Sequence, residues 1–480
     1  MEKFDLIVIG SGAGLDVAKA GAEKGLKVAI IEKSNLGGTC LNVGGIPSKL
    51  LIYSANIIEI IKKAETFGIN VDKYSIDFEK MISRVIKIID TAANEIKKEL
   101  EESNNPRLFL QDCKFIGNKK ISIANEVITA DKILIATGTR PNIPKINGLE
   151  NVNYITSTEA LCLKYQPKTL TIIGGGYIAC EFAHFFGALG TKINIIQRND
   201  FLIPNEDIDV SRKFTEIFSK KYNVYLGCNT EMVRYNYHNT NNQKTFNVII
   251  KDKFGKSMEI CSEQLLIATG RTPNSDLLDI EKSGIKRNEK GFILVDEYLE
   301  TNIKGIFAVG DVVGKFQFKH NANNEARYAY NNIVYPHNKL PVNYNAIPHA
   351  IFTSPQIAGV GYTEQQLKKE KIAYVRSIYP YIQTAMGKAI EDKDGFVKFL
   401  IDKKNKYILG CHIMGTDASI LIHEVLVAMT TAEGKIDNIT NTIHIHPALS
   451  EVVSRAASVH NLDIVVPLGT CITPYLFLRL

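Results

Sequence analysis

The chain of 480 residues is too long for one ordinary domain, and its apolar content of 45% is enough for several hydrophobic cores. Its net charge of +6 is spread over many lysines and glutamates without a basic block, which argues against a nucleic-acid-binding protein. No run of about 18 apolar residues predicts a membrane span, and no targeting pattern is visible before the first predicted strand. We therefore expect three or four compact units in a cytoplasmic protein.

Residues 4–32 carry the pattern of a dinucleotide-binding fold. An apolar run at 6–9 predicts a buried parallel strand. The glycines that follow it are Gly10, Gly12 and Gly14. Such glycines let the backbone approach a pyrophosphate, which rests on the N-terminus of the next helix. A second strand ends at Glu32, which is placed to bind a ribose hydroxyl. Leu15 replaces the usual third glycine, so we expect looser packing between helix and strand.

Residues 37–51 read GGTCLNVGGIPSKLL and hold Cys40 ahead of a helix that we expect to begin at Pro47 and Ser48. The segment resembles the active site of a disulfide reductase, in which two cysteines store an electron pair as a disulfide. Such a segment carries its second cysteine where this chain has Gly45. The other cysteines are scattered, with neither metal-ligand spacing nor a disulfide framework, so we expect no metal and a reducing compartment.

A second dinucleotide-binding pattern spans residues 169–198. Its loop carries small residues at Gly174, Gly176 and Ala179. Its second strand ends in Gln197 and Arg198 instead of an acid, which suits the 2′-phosphate of NADPH better than a bare 2′-hydroxyl. Arg198 is equally well explained as a surface arginine, so NADH stays open. Two such folds favour a flavin site and a nicotinamide site, with hydride transfer between them.

Four further segments carry motifs: DKILIATGTRP, LLIATGRTPN, GIFAVGDV and IHIHPALSE. Together with the glycine loops they resemble, over the whole chain, the pyridine nucleotide–disulfide oxidoreductases, in particular dihydrolipoamide dehydrogenase and mycothione reductase. The resemblance implies an α/β fold with two doubly wound, Rossmann-like dinucleotide-binding domains and a C-terminal α+β dimerisation domain. It implies a homodimer whose chains are divided into residues 1–150 for FAD, 151–272 for NAD(P), 273–345 for a central domain that completes the FAD site, and 346–480 for dimerisation.

The resemblance also implies the residues of the site. The cofactor-binding residues of the FAD side would be Gly10, Gly12, Gly14, Glu32, Gly38, Thr39, Lys49, Thr137, Gly138, Gly310 and Asp311. Those of the second pattern and the crossover after it would be Gly174, Gly176, Ala179, Gln197, Arg198 and Gly270. The catalytic residues would be Cys40, His446, Glu451, Lys49 and Glu181.

The expected roles of these residues compete with simpler ones. Lys49 and Glu181 would form an ion pair near the flavin, although each alone would be read as a surface charge. His446 would hydrogen-bond Glu451 at the start of a helix that begins at Pro447, and would act as acid or base. A capping histidine is the simpler alternative, and the position of both residues in the motif favours catalysis.

Gly45 leaves three functions open. The first is an FAD-dependent NAD(P)H oxidoreductase, dihydrolipoamide-dehydrogenase-like by resemblance, with dithiol/disulfide exchange impaired because Gly45 supplies no second sulfur. The second is an NAD(P)H quinone reductase, diaphorase or soluble transhydrogenase. The third is a non-catalytic FAD-bound subunit or scaffold of a 2-oxo acid dehydrogenase complex. The substrate would accordingly be a small-molecule disulfide, a quinone or a nicotinamide.

Overall fold

The computed structural model describes residues 1–237 and 244–459, which fold into two compact units. The first unit comprises residues 1–57, 61–167 and 264–343, and the second comprises 58–60, 168–263 and the residues from 344 onward. Residues 460–480, the end of the expected dimerisation domain, lie outside the described residues. The expected division into four domains stays a prediction, because each unit combines segments from more than one of those domains.

The strands of the described residues are, in chain order, β1 Glu2–Ile9, β2 Val28–Glu32, β3 Arg107–Leu110, β4 Cys113–Gly117, β5 Lys120–Ile123, β6 Glu126–Ile135, β7 Thr139–Pro141, β8 Thr169–Ile173, β9 Lys192–Gln197, β10 Asn223–Leu226, β11 Asn229–Tyr237, β12 Lys244–Lys251, β13 Ser257–Ser262, β14 Gln264–Ile267, β15 Arg271–Pro273, β16 Ile306–Ala308, β17 His349–Ile351, β18 Gln356–Gly361, β19 Tyr374–Pro380, β20 Phe396–Asp402 and β21 Ile408–Gly415.

The α-helices of the described residues are α1 Gly14–Glu23, α2 Gly38–Asn42, α3 Gly45–Lys63, α4 Phe78–Glu102, α5 Ser157–Ala160, α6 Tyr177–Ala188, α7 Ile208–Lys221, α8 Lys319–Val334, α9 Glu364–Glu370, α10 Ala385–Ala389, α11 Ala418–Thr430, α12 Asp437–Thr440 and α13 Glu451–Val459. Short 3₁₀ helices lie at Ala64–Phe67, Leu149–Asn151, Asn274–Leu278, Ile280–Ser283, Gly310–Val312, Tyr381–Gln383 and Ala432–Gly434. Within the described ranges, no helix has the length and apolar character needed to cross a membrane.

The first unit is built on one sheet in the order β3-β2-β1-β6-β5-β4, with β16 paired to β6. The strands β3, β2, β1, β6 and β16 are parallel, and β5 and β4 continue the sheet as an antiparallel edge. The central strand β1 is buried on both faces, because Leu6 and Val8 lie in one apolar cluster with α1 and α8, and Ile7 and Ile9 lie in another. This is the predicted doubly wound arrangement.

Packing between α1 and β1 is close, not loose. A Cβ added to Gly14 would lie 2.7 Å from Val8 Cγ1 and 3.1 Å from Ala136 Cβ, so only glycine fits there. Leu15 is itself buried, in the same apolar cluster as Val8. The expectation drawn from Leu15 was therefore wrong: the small residue that allows close helix–strand contact stands one position earlier than in the usual motif.

Both helix starts expected at proline are displaced. The helix α3 begins at Gly45, and Pro47 lies within its first turn, where a missing N–H costs no hydrogen bond. The helix α13 begins at Glu451 and not at Pro447. Between them the chain winds as tight i→i+3 turns, seen in the bonds from Glu451 N to Ala448 O and from Val452 N to Leu449 O.

The second unit holds a nucleotide-binding fold and an α+β fold. In the first, β8, β9 and β10 are parallel, and β11, β12 and β13 form an antiparallel sheet. In the second, five antiparallel strands run in the order β17-β18-β21-β20-β19. One face of that sheet packs on α11 and α13 through a shared apolar cluster. Within the described residues, the predicted fold class is confirmed.

The opposite face of the five-stranded sheet buries a charge. Lys398 of β20 is fully buried, and its Nζ donates to Asp207 Oδ1 at 2.7 Å, Asp209 Oδ2 at 2.6 Å and Glu364 Oε2 at 2.6 Å. The acids belong to the start of α7 and the start of α9. Lys398 therefore ties the nucleotide-binding fold to the α+β fold of the same unit.

Lys398 also controls how stability depends on pH. Burial alone would raise the pKa of Asp207 and of Glu364, but the positive charges outweigh it and hold both pKa values below their usual range. Carboxyls with lowered pKa values in the folded state stabilise the protein above their ordinary pKa of about 4. That stabilisation is lost as the pH falls below this value.

We predict that Lys398→Met lowers the free energy of unfolding by about 3–5 kcal/mol at pH 7, because it leaves buried carboxylates without their cation. The difference from wild type should shrink as the pH falls toward 4, since the acids can then be neutral. Lys368→Met is the matched control: Lys368 also contacts Glu364, at 2.7 Å, but is 62% exposed, so a loss below about 1 kcal/mol is expected. Equal losses for both variants in urea unfolding would contradict the burial argument.

Candidate functional site

Three loops of the first unit meet backbone to backbone. Gly10 has φ +103°, and a Cβ there would lie 2.4 Å from Ala136 O. Gly38 has φ +68°, and a Cβ there would lie 2.6 Å from Gly12 Cα. These contacts are closer than any side chain permits, so glycine is required at both positions. They bring the first glycine loop, the Cys40 segment and the end of β6 to one place.

The carboxylate of Glu32 organises the loops around it. Its Oε2 accepts from Ser11 N at 3.0 Å and Ser11 Oγ at 2.8 Å, and its Oε1 accepts from Lys33 N at 2.9 Å and from Ser34 N and Oγ at 3.1 and 3.2 Å. Ser11 Oγ in turn accepts from Gly37 N at 3.0 Å. A ribose hydroxyl would compete with the two serine hydroxyls, which can rotate away.

The segment GIFAVGDV holds a half-buried carboxyl, that of Asp311. Asp311 accepts from Thr139 Oγ1 at 3.0 Å, and Thr139 Oγ1 accepts from Arg271 Nε at 2.7 Å. Burial raises the pKa of Asp311 above its usual value, although Thr139 and Arg271 act in the opposite direction. A carboxyl in this setting gains from a further hydroxyl donor, such as that of a polyol chain.

Glu325, which no sequence pattern singled out, supports the segment that carries Asp311. Glu325 of α8 is buried, its Oε2 accepts from Gly310 N at 2.6 Å, and its Oε1 accepts from Asn321 Nδ2 at 3.0 Å. It therefore holds the turn that presents Asp311. The available signal was an acid four residues after an asparagine on one helix face, which is too common to single out from one sequence.

The first unit fits a bound dinucleotide. The hydroxyl of Thr137 is buried without a hydrogen-bond partner in the described residues. Beside it, Gly138 has φ +63° and open space where a Cβ would be. An unsatisfied buried hydroxyl next to a glycine cradle is the arrangement that a polar ligand completes. With Glu32 and Asp311, these residues suit the polar groups of FAD.

The Cys40 segment keeps the spacing of a redox pair without its second sulfur. Cys40 and Thr39 lie on α2, and Gly45 opens α3. A Cβ added to Gly45 would lie 3.2 Å from Cys40 Sγ, and in the described residues no other heavy atom lies within 4 Å apart from chain neighbours and the backbone of α3 itself. In a disulfide, each sulfur lies about 3 Å from the Cβ of the other cysteine. Every cysteine of the described residues is an unpaired thiol.

In the second unit, the second glycine loop is shaped by Gln197. Gly176 caps α6, and Ala179 is fully buried in that helix. A Cβ on Gly175, between Gly174 and Gly176, would lie 2.7 Å from Gln197 Nε2. Gln197 therefore packs beneath the loop, donating to Phe201 O at 3.3 Å, and does not project outward as an acid would. Arg198 is exposed at the end of β9.

Two of the predicted residues belong to different units. Lys49 lies on α3 in the first unit, and Glu181 is buried on α6 in the second, where it accepts from Phe352 N at 3.0 Å. Their ion pair stays a prediction.

Gly270 lies just before β15 with φ +105°, and its carbonyl accepts from Asn142 N at 2.9 Å. It closes a turn of the first unit, and its contact with a cofactor is also untested.

The C-terminal motif contains two histidine–glutamate pairs. His446 Nδ1 lies 3.0 Å from Glu451 Oε1, and the His446 side chain is 69% exposed, so its other nitrogen is open to a substrate. His444 is largely buried, with Nε2 bonded to Glu424 Oε1 and Nδ1 at 2.9 Å from Thr442 O. Glu424 lies on α11, twenty residues away, which is why the sequence alone did not reveal it.

The match to known proteins covers nearly the whole chain. Residues 4–326 match the pyridine nucleotide-disulphide oxidoreductase family, and residues 347–457 match its dimerisation domain. The chain belongs to this family. It is 34% identical over 467 residues to mycothione reductase of Mycobacterium tuberculosis, covering 95% of this chain and 99% of the relative. It is 33% identical over 459 residues to dihydrolipoyl dehydrogenase of Mycoplasma genitalium, covering 94% and 97%.

The fold agrees with a solved member of the pyridine nucleotide-disulphide oxidoreductases. The Cu(II) complex of the HOCl-induced flavoprotein disulfide reductase RclA from Escherichia coli superposes with a TM-score of 0.83 and 28% identity, covering 96% of this chain and all of that one. The resemblance drawn from the motifs is confirmed. Membership of the flavoprotein disulfide reductases follows, whereas the substrate does not, since the relatives differ in theirs.

We predict that Gly38→Ala abolishes stable FAD binding, because its Cβ would overlap Gly12 Cα and separate the two loops. Gly68→Ala is the control: Gly68 has φ +77°, close to the +68° of Gly38, but nothing within 4 Å of an added Cβ. Both variants carry the cost of about 1 kcal/mol for a left-handed alanine. The FAD-to-protein absorbance ratio should fall only for Gly38→Ala, and equal retention of FAD would refute the overlap argument.

Proposed function

We propose that the protein is an FAD-dependent NAD(P)H oxidoreductase of the disulfide reductase family, dihydrolipoamide-dehydrogenase-like, whose disulfide exchange is impaired at Gly45. It would act as a homodimer in the reducing cytoplasm. The observation that carries the proposal is the 3.2 Å separation between Cys40 Sγ and the position of a Cβ on Gly45. The backbone keeps the spacing of a disulfide, which supports a disulfide-reductase site that lacks the side chain of its second cysteine.

The residues of the first unit would hold FAD, which when bound supplies two-electron redox chemistry. The loop Gly10–Gly14 would face the pyrophosphate and Glu32 a ribose hydroxyl. Thr137 and Asp311 would bond to the remaining polar groups. In the described residues the Thr137 hydroxyl is buried without a hydrogen-bond partner, and burial raises the pKa of Asp311. Lys49 would place a positive charge beside the cofactor.

Cys40 would react with a disulfide substrate R–S–S–R as a thiolate. Its sulfur would form a bond to one substrate sulfur while the S–S bond breaks, leaving a Cys40–S–S–R mixed disulfide and one R–S⁻. A second protein thiol would normally displace the remaining R–S⁻ and close an internal disulfide. Gly45 provides no such thiol, so we expect the reaction to stop at the mixed disulfide.

His446 would supply the proton for the departing R–S⁻. Its Nδ1 is held by Glu451, which fixes the tautomer and leaves Nε2 exposed to exchange a proton. Because Cys40 and His446 lie in different units of the chain, their meeting at one site, in the family's manner across a dimer, belongs to this proposal.

Gly45 also favours a second candidate, which is NAD(P)H quinone reductase, diaphorase or transhydrogenase activity. With no side chain at position 45, the vacant Cβ position is met in the described residues by Cys40 Sγ, apart from chain neighbours and the backbone of α3 itself. No second sulfur of the site would then compete with an external acceptor for the electrons. This activity and the impaired disulfide exchange are compatible in one protein.

Arg198 supports a preference for NADPH. It is exposed beyond a strand end whose Gln197 points inward and offers no carboxylate to a 2′-hydroxyl. A guanidinium suits a 2′-phosphate through charge-assisted hydrogen bonds.

We predict that Arg198→Met raises the KM for NADPH by about 10- to 100-fold, the loss of one or two charge-assisted bonds, and changes the KM for NADH little. Lys192→Met is the control, since Lys192 is an exposed cation at the opposite end of the same strand. Both KM values can be measured from dye reduction with each nicotinamide. A parallel rise for both nicotinamides would show that Arg198 does not recognise the phosphate.

We predict that Gly45→Cys forms an internal disulfide with Cys40 and gains NAD(P)H-dependent reduction of lipoamide or another small disulfide, at least about 100-fold above wild type, because an intramolecular thiol has a high effective concentration. Gly45→Ser, of equal size without sulfur, should gain nothing. Thiol counts and disulfide and quinone assays of the FAD-loaded proteins provide the measurements.

Two other results would contradict the proposed function. Disulfide turnover by wild type would mean that another thiol completes the pair, and the proposed impairment would be wrong. If none of the proteins oxidises NAD(P)H with any acceptor, the non-catalytic scaffold becomes the better explanation.

A further inference from the structure

The segment that carries His446, residues 443–447, is positioned by side chains. In the described part of the chain, none of its backbone groups bonds to another backbone group. Ile443 and Ile445 are 97% and 78% exposed, so apolar packing within the chain does not hold it either. The side-chain bonds of His444 and His446 are what remains to fix its place.

His444 is the buried anchor of this segment. Its ring nitrogens meet two oxygen acceptors, Thr442 O and the carboxylate of Glu424. His444 is therefore held through both of its ring nitrogens. Both bonds then act together, and the backbone at 444 cannot shift without breaking one.

Glu424 stands on a rigid support. It lies on α11, whose Ile422, Val425 and Ala428 are buried in the apolar cluster under the five-stranded sheet. Glu451, which holds the ring of His446, lies on α13, whose Val452 and Val453 belong to the same cluster. Two carboxylates on two packed helices thus bond to the imidazole rings of His444 and His446.

We propose that Glu424, acting through His444, is a positioning residue for the proton exchange carried out by His446. Glu451 orients the imidazole, whereas Glu424 fixes the backbone from which it projects. The proposal rests on the proposed function, in that His446 must be the acid–base residue for its position to affect turnover. A displacement of about 1 Å at such a residue can reduce the rate by up to about 100-fold.

The experiment uses the FAD-loaded, full-length protein in the Gly45→Cys background. Glu424→Ala removes the carboxylate that holds His444, and Glu424→Gln retains an amide that can hydrogen-bond the His444 ring. Glu370→Ala, at an exposed acid at the end of α9, is the matched control. The first readout is the ratio of disulfide turnover to dye turnover in each variant. The second is the NMR resonance of His446 in histidine-labelled protein, assigned with His446→Gln and measured without turnover.

We expect Glu424→Ala to lower the ratio about tenfold and to shift or broaden the His446 resonance, while Glu424→Gln stays within about threefold. An unmoved His446 resonance, a fall of both activities together, or equal losses for the alanine and glutamine variants would each overturn the positioning role. If His446→Gln leaves disulfide turnover intact, the acid–base role in the proposed function fails instead. The His446 resonance in Glu424→Ala then still shows whether the bond between Glu424 and His444 holds the segment.

Discussion

The contact between Gly12 and Gly38 is the constraint on which the first unit depends. Backbone lies against backbone there, so the glycine loop and the segment that carries Cys40 cannot separate without losing the shape of the nucleotide cradle. Ser11 and Glu32 stabilise the same meeting point through hydrogen bonds to both loops. Because α2 starts at Gly38, this contact also determines where the sulfur of Cys40 lies. Cofactor binding and thiol position are therefore set by one local geometry.

This geometry explains why glycine at position 45 leaves the surrounding scaffold unaffected. Gly45 is the first residue of α3, a helix of 19 residues whose Leu51, Ile52 and Ala55 are buried. The helix is fixed by that packing and not by a bond to Cys40. The Cβ position at its start accordingly stays at disulfide distance from Cys40 Sγ although no sulfur is present. A chain can lose the second sulfur while the scaffold of the site is retained.

The sequence predicted the fold class and the two glycine loops because strand, loop, helix and terminal residue follow one another within about 30 residues. The loose helix–strand packing expected from Leu15 was wrong, since whether Gly14 or residue 15 faces Val8 depends on how the helix is rotated on the sheet. Pro47 and Pro447 predicted helix starts, but Pro47 lies inside the first turn of α3, where a proline is tolerated, and Pro447 lies in the i→i+3 turns before α13. Lys398, Glu325 and Glu424 escaped notice because their partners are distant in sequence or on an ordinary helix face.

Those three residues share a physical role that a motif cannot encode. Each is a charged side chain that bonds to a loop or helix start: the fully buried Lys398 to the start of α7, the buried Glu325 to the turn of Gly310, and the partly exposed Glu424 to His444. A buried charge is costly unless all its bonds are made, so it tolerates few alternative positions for its partner. Apolar packing, which is less directional, would allow the same loops to slide. The charges therefore place the ends of the functional loops, and the apolar clusters place the helices and sheets that support them.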